Sequence, residues 1–322
     1  MSPVGETNDP ERVTARYKVG GALAGYRLDQ FLGRMIPKLS RARIQKAIAS
    51  RVRLSWDAPV KPSTPVREGE TVFIDDPEVN EPIVLFEPKV LFEDDDLLAI
   101  DKPPGIVVHP THSHLHNTVI TLLRRFRNEP TLTLSHRIDA ETSGVLLMGR
   151  HRWAARKVQT SFERGQVCKE YRALVFGAPR EDAYTVDLPL GAVSEDDFVF
   201  RQGPECDDAK PCETHFEVLE RGRRFSLIRA LPRSGRRHQI RAHLALTGHP
   251  IVGDKLYGLD NRAYRRYLRL GKLDSTLQDE VVAERLMLHN FRLELPRPRD
   301  PRQPLQITAP LPEDFLRIWN AG

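Results

Sequence analysis

Hydrophobic periodicity changes character along this chain, and that change limits the fold more than any single motif does. Leu28, Phe31, Leu32, Met35 and Ile36 fall at i, i+3, i+4, i+7 and i+8, the spacing of one helix face. Pro37 ends that helix, and Ser40 is placed to cap a second, in which Ile44, Ala47 and Ile48 turn inward. Short strands are expected around 51–54 and 71–74, separated by a proline-bearing loop. Residues 77–90 are acidic and proline-punctuated, and read as a linker. Beyond them the apolar residues gather into short β-rich runs at 97–100, 106–109, 145–148, 171–176, 214–219, 225–230 and 286–295. Helical stretches near 118–127, 153–164 and 238–247 interrupt these runs without a βαβα alternation. That order predicts an α+β domain built on a mixed, mainly antiparallel sheet. The expected organisation is a disordered tail over 1–16, a small α/β domain over 17–76, the linker, and a larger domain over 91–322. Within the last, residues 259–285 read as a charged surface helix and loop.

Composition narrows the classes of function. No stretch comes near the ~18–20 consecutive apolar residues of a membrane helix, and the polar N-terminus has no apolar signal core. Three cysteines, Cys168, Cys206 and Cys212, cannot all pair with one another, and their spacing does not suit a zinc knuckle. Free thiols in a reducing compartment, the cytoplasm, are therefore expected. The net charge of +5 is unevenly spread. Nine Lys and Arg stand against one acid, Asp29, between Tyr17 and Trp56, and eight arginines stand against none between Arg221 and His243. Clustered cations displace the counterions of phosphates, so two basic blocks suit a polyanion; a merely solvated face would carry the same charge.

Several stretches carry side chains able to do chemistry. In "LSHRIDAETSGVLLMGR" (134–150) an apolar run follows a loop holding Arg137 and Asp139, with the turn formers Thr142, Ser143 and Gly144 between. In isolation Asp139 reads as the cap of that turn. "SGRRHQIRAHLALTGHPIVGDKLYG" (234–258) brings Arg236, Arg237 and His238 to the start of a helix, where backbone N–H groups and guanidinium forks favour an anion. Arg241 differs from them. It falls within the apolar periodicity of Ile240 and Leu244, is expected to be partly buried, and so wants a carboxylate partner; Asp139 is the candidate. "DKPPGIVVHP" (101–110) reads as a tight turn from which Lys102 projects a charge. The histidines His109, His112, His114 and His116 are dense, but their spacing fits no metal-binding pattern, so no metal is expected.

Taken together these stretches resemble a known family. "HRIDAETSG" is similar to the His-Arg-Leu-Asp-x-x-Thr-Ser-Gly motif of the RluA-type pseudouridine synthases. "DKPPGIVVHP", "KEYRALVFG", "SGRRHQIRAHLALTGHPIVGDKLYG" and "LMLHNFRLELP…APLPEDF" follow in the family's order. Ile138 stands for the usual Leu and Ser234 for the common Thr, each keeping its side-chain class. Ahead of them, "YRLDQFLGRMIPKLSRARIQKAIASRVRL" and "VKPSTPVREGETVFI" resemble the S4 RNA-binding domain, though Ser50-Arg51-Val52 and "SWDAP" replace its Gly-x-Val step and Asn-Gly turn. That resemblance implies that Lys38, Arg41, Arg43, Lys46 and Arg51 face RNA, gripping shape and backbone more than sequence.

The family resemblance implies isomerisation of uridine to pseudouridine within structured RNA, without a cofactor. It makes Asp139 the essential carboxylate, acting at C1′ of the ribose, at C6 of the base, or through a glycal intermediate. Arg241 matches the family's basic partner, and Tyr171 its active-site tyrosine, which can stack on the base and help take the C5 proton. Arg137 matches the arginine that fills the gap left by a flipped nucleotide. His136, Thr142 and Lys102 would shape the loop or hold phosphate, with Arg236, Arg237 and His238 also facing RNA. Large-subunit ribosomal RNA is the expected substrate and transfer RNA the alternative, for an enzyme expected to be a monomer away from membranes. A non-catalytic RNA-binding protein would be favoured by loss of Asp139, Tyr171 or Arg241, and all three are present. A metal-dependent hydrolase built on the histidine loop would be inactivated by chelators.

Overall fold

Leu28, Phe31 and Leu32 lie on one side of a short helix and are almost wholly buried, as their spacing requires. This computed structural model describes residues 13–36, 41–75, 88–111, 117–193 and 201–321. Its contacts divide the chain into two units, Met1–Asn80 and Glu81–Gly322.

The first unit contains β1 (Val13–Lys18), α1 (Leu28–Met35), α2 (Arg41–Ser50), β2 (Val52–Leu54) and β3 (Thr71–Asp75). The strands form an antiparallel sheet in the order β1-β3-β2. Residues 13–16, expected in a tail, instead belong to β1, because β3 offers them a backbone ladder. Ile44 and Ile48 from α2 meet Phe31, Val52 and Val72 in one small core. Met35 is 38% exposed, since α1 stops there and leaves it at the edge of that core. Arg41, Lys46 and Arg51 are exposed, whereas Lys38 and the side chain of Arg43 lie outside the described residues.

In the second unit the chain runs β4 (Lys89–Glu93), β5 (Leu97–Lys102), α3 (Val119–Phe126), β6 (Thr133–Leu134), β7 (Ser143–Gly149), α4 (Arg152–Glu163) and β8 (Cys168–Phe176). There follow β9 (Ala183–Asp187), β10 (Gly191–Ala192), β11 (Gln202–Gly203), β12 (Glu213–Arg221), β13 (Phe225–Pro232) and α5 (Gln239–Leu246). Last come α6 (Asn261–Leu270), α7 (Ser275–Val281), β14 (Leu288–Pro296), β15 (Pro304–Thr308) and α8 (Glu313–Asn320). The main sheet has the order β4-β5-β7-β14-β8-β13-β12-β9, with β15 attached to β14 and β6 to β7. Among the described residues its one parallel pairing is β7 with β14; the architecture is α+β, mixed and mainly antiparallel.

The period of β5 and β7 shows why they read as continuous apolar runs. Leu98, Ile100, Leu146 and Met148 face the larger core, while Leu97, Ala99, Val145 and Leu147 face a second on the other side of the sheet. Strands buried on both faces have no polar alternation to display. The β7–β14 contact depends on Gly144. Its φ is +103°, and a Cβ there would lie 2.2 Å from the Asn290 carbonyl oxygen.

Three sequence expectations need correction here. Residues 89–90, expected in the linker, lie in β4, paired with β5. Ile106–His109 form no strand: the Val107 and Val108 carbonyls accept from Val119 and Ile120 at the start of α3 instead of joining a ladder. Residues 259–285 hold two helices with a core of their own, in which Tyr264 and Ala263 pack on Leu277 and Val281.

Candidate active site

The loop between β6 and β7 is tied down at His136 and again at Ala140 and Glu141, with Ile138 buried in the core between them. The Leu147 amide donates to His136 Nε2 at 3.0 Å, and the His136 ring stacks on Phe162 at 5.0 Å. Burial pushes the His136 imidazole down to about 3, so it stays neutral and can accept that bond. Lys102 Nζ donates to the carbonyls of Pro103 (2.7 Å), Ile106 (3.1 Å) and Ala140 (2.8 Å). Glu141 accepts from Lys255 Nζ at 2.8 Å and from the Leu286 amide at 3.1 Å. With 136, 140 and 141 anchored, Arg137 is left exposed and Asp139 lines a cleft.

Lys102 therefore does not face RNA. It is fully buried, because the turn of 103–105 folds under the Asp139 loop and three carbonyls there need a donor. Burial lowers its pKa to about 7, against the opposing pull of Asp139.

Arg241 is held between two carboxylates. Its Nε and Nη2 form a fork on Asp254 at 2.7 and 2.9 Å, and its Nη1 donates to Asp139 Oδ2 at 3.0 Å. Burial opposes the guanidinium charge, but Asp254 and then Asp139 outweigh it and raise the pKa of Arg241 above its ordinary value. Asp254 is also buried; burial would raise its pKa, and the Arg241 charge and fork bring it below the usual carboxylate range instead. Two backbone amides, Leu256 and Tyr257, donate to its Oδ1. The Asp139 side chain keeps 23% exposure, and its Oδ1 has no hydrogen-bond partner among the described residues. The carboxylate is thus fixed by one oxygen and open at the other.

The arginine-rich segment reaches the same cleft through a left-handed turn. His238, the residue before α5, has φ +53°, a conformation that costs about 1 kcal/mol outside glycine. That turn leaves Arg236 and Arg237 exposed while the His238 side chain is 10% exposed, its Nε2 3.9 Å from Asp139. Burial and then Arg241 push His238 down to about 4, so it is neutral. Gln239 secures the turn, accepting from Ser234 Oγ at 2.7 Å and donating to the Glu213 carbonyl at 2.9 Å.

Tyr171, on β8, lines the cleft from the other side of β14. Burial, with Asp139 adding to it, raises its hydroxyl above the ordinary phenol value, so it is protonated at neutral pH. Lys169, also on β8, donates to the Ser234 carbonyl at 2.5 Å and ties β8 to the arginine-rich segment in the cleft wall; burial lowers it to about 8. The Thr142 hydroxyl is buried in the lining without a partner among the described residues. The space enclosed is about 330 Å³, the lower end of the range for small-molecule pockets. It suits one flipped nucleobase and not a duplex.

A family model described as RNA pseudouridylate synthase matches residues 96–246. The ribosomal large subunit pseudouridine synthase D of Nitrosomonas europaea is 32% identical over 96% of this chain and 88% of its own. The chain belongs to the RluA-type RNA pseudouridine synthases. The ribosomal large subunit pseudouridine synthase C of Vibrio vulnificus is 33% identical over 92% of both chains. Among solved structures, human RNA pseudouridylate synthase domain containing 1 superposes with a TM-score of 0.57 at 26% identity, covering 71% of this chain and 86% of its own.

The structure thus brings Asp139, Arg241, Tyr171, Arg137, His136, Thr142, Arg236 and His238 to one cleft of this synthase, and Arg237 to its rim beside Asp139. Asp254 escaped the sequence reading although it stands inside the arginine-rich motif; the signal was an arginine on an apolar helix face, with more donors than one carboxylate can satisfy. His112, His114 and His116 lie outside the described residues, and among the described residues no three His, Cys, Asp or Glu converge as metal ligands. No described helix is long and apolar enough to cross a membrane.

Proposed function

We propose that this synthase converts uridine to pseudouridine in large-subunit ribosomal RNA, with Asp139 as the reacting carboxylate. The observation that carries the reading is the state of Asp139. One oxygen is pinned by Arg241 and the other is free in a cleft the size of one base. The N1–C1′ bond breaks, the uracil turns within the cleft, and C5 bonds to C1′; the C5 hydrogen leaves as a proton and N1 takes one up from solvent, so the composition is unchanged. Attack at C1′, attack at C6 and a glycal route all use a carboxylate held in this way. Tyr171, its phenol kept protonated at neutral pH by burial, stacks on the turning base. The exposed Arg137 enters the gap left by the flipped nucleotide, where a planar guanidinium offsets part of the few kcal/mol of lost stacking. The exposed Arg41, Lys46 and Arg51 supply grip on the RNA backbone from the S4-like unit. The ribosomal target is supported by the names of relatives that share almost the whole chain.

Tritium release from RNA carrying 5-tritiated uridine tests the chemistry, because C5 loses its hydrogen only on isomerisation. Wild type releases tritium from ribosomal RNA of a deletion strain and Asp139→Ala does not. Release confined to transfer RNA would overturn the ribosomal target, and none from any RNA would overturn the reaction.

A further inference from the structure

A second basic surface, separate from the catalytic cleft, lies along α4. Trp153, Arg156, Lys157, Thr160, Ser161 and Arg164 recur at i, i+3, i+4, i+7, i+8 and i+11, so they share one face of the helix. Ala154, Ala155 and Val158 on the opposite side are buried and fix the helix to the sheet. With the segment that follows β14, this face encloses a groove of about 870 Å³. Arg297 and Arg299 on that segment are neutralised by Asp94 and Asp96. Arg156, Lys157 and Arg164 are exposed and make no ion pair with any described residue. The groove lining holds one carboxylate, Glu294, against these three unmatched cations, so the net charge that this face presents is positive and suits an anion.

Two further features specify the anion. Trp153 is 42% exposed, and the Arg299 guanidinium, itself forked on Asp96, sits 5.3 Å from its ring centroid. A clamped, exposed indole beside free cations is the combination that binds single-stranded nucleic acid, by stacking and phosphate contact together. The groove also adjoins the catalytic cleft. Gln159 and Phe162 of the same helix line the cleft, and Cys168 in the groove is three residues from Tyr171 in the cleft.

We infer that the α4 groove holds the single-stranded RNA that flanks the reacting uridine, with Arg156, Lys157 and Arg164 on its phosphates and Trp153 against a base. The inference deepens the proposed reaction and rests on it. The test compares wild type with an Arg156→Gln/Lys157→Gln/Arg164→Gln variant and with Trp153→Ala, using bulk RNA from a deletion strain labelled with 5-tritiated uridine. Losing three single-strand phosphate contacts lowers the slope of log affinity against log salt by about 2. Between 50 and 200 mM salt, wild-type KM should therefore rise roughly twentyfold more than that of the triple variant. The kcat at saturating RNA should be unchanged in the triple variant, and Trp153→Ala should raise KM with little change of salt slope. Equal salt slopes in wild type and triple variant overturn the inference. Photocrosslinking of 4-thiouridine RNA to the full-length protein provides an independent reading. Adducts on residues 153–164 are expected, and crosslinks confined elsewhere would also overturn the inference, as would a groove that captures acidic peptides but not RNA. If wild type releases no tritium, the proposed reaction fails while the crosslinks still decide the groove.

Discussion

Arg241 serves two carboxylates whose removal should have opposite consequences, one for activity and one for stability. Asp254 is buried, accepts two guanidinium bonds at 2.7 and 2.9 Å, and accepts two backbone amides at 3.0 and 3.1 Å. Replacing it with Asn keeps the volume but sets an amide donor against the Arg241 fork. Breaking a buried pair from one side costs about 3–5 kcal/mol, and the single bond to the partly exposed Asp139 compensates the remaining Arg241 charge only in part, so the lower end of that range is expected. Asp139 accepts one bond at 3.0 Å and keeps 23% exposure. Its replacement by Asn leaves the Arg241–Asp254 fork intact, and screening by water limits the loss to about 1 kcal/mol. Urea unfolding followed by circular dichroism should place Asp254→Asn well below wild type and Asp139→Asn close to it. In a thermal scan the Asp254 variant should fall on the order of 10 °C. Tritium release should vanish in the Asp139 variant. Equal stability losses in the two variants, or an Asp254→Asn protein as stable as wild type, would refute the division of labour.

Other parts of the structure make their own predictions. Lys102→Met should lower kcat with KM for RNA and its salt dependence unchanged, since the lysine ties three carbonyls beneath Asp139 and does not meet phosphate. A reduced salt slope in that variant would contradict the assignment. Burial pushes His289 down to about 4, so the stability supplied by its neutral form is complete above about 6.5 and is lost as pH falls towards 4. That span corresponds to about 3 kcal/mol, and His289→Gln should flatten the acid limb of a stability–pH profile by up to that amount. Gly144→Ala should cost more than about 3 kcal/mol, from a left-handed backbone and a collision with Asn290, and should appear as loss of soluble protein.

How far the sequence discloses this site depends on what each residue's neighbours in the chain reveal. Arg241 could be matched to Asp139 across 102 residues because an arginine amid Ile240 and Leu244 must be partly buried and needs a carboxylate. Asp254 was hidden by the same reasoning, since one partner seemed enough. Lys102 misled because a Pro-Pro-Gly turn ordinarily carries its neighbours to solvent, and nothing nearby in sequence announces that Ala140 will fold over it. Ile106 and Val108 have the composition of a strand, but their segment spends its carbonyls on α3 and Lys102, a choice visible only once those partners arrive. The apolar runs of β5 and β7 were legible because burial on both faces leaves no alternation to misread.

The position of β14 bears on how this protein is made. It lies between β7, which follows the Asp139 loop, and β8, which carries Tyr171, yet it is synthesised more than a hundred residues after both of them. Until Leu288–Pro296 has been translated, the two halves of the cleft belong to two separate half-sheets, each ending in backbone groups that only β14 later pairs. A nascent chain stopped near residue 280 holds every residue assigned to catalysis and no assembled place for them to act. Truncation ahead of Leu288 should therefore yield aggregates, not a smaller enzyme.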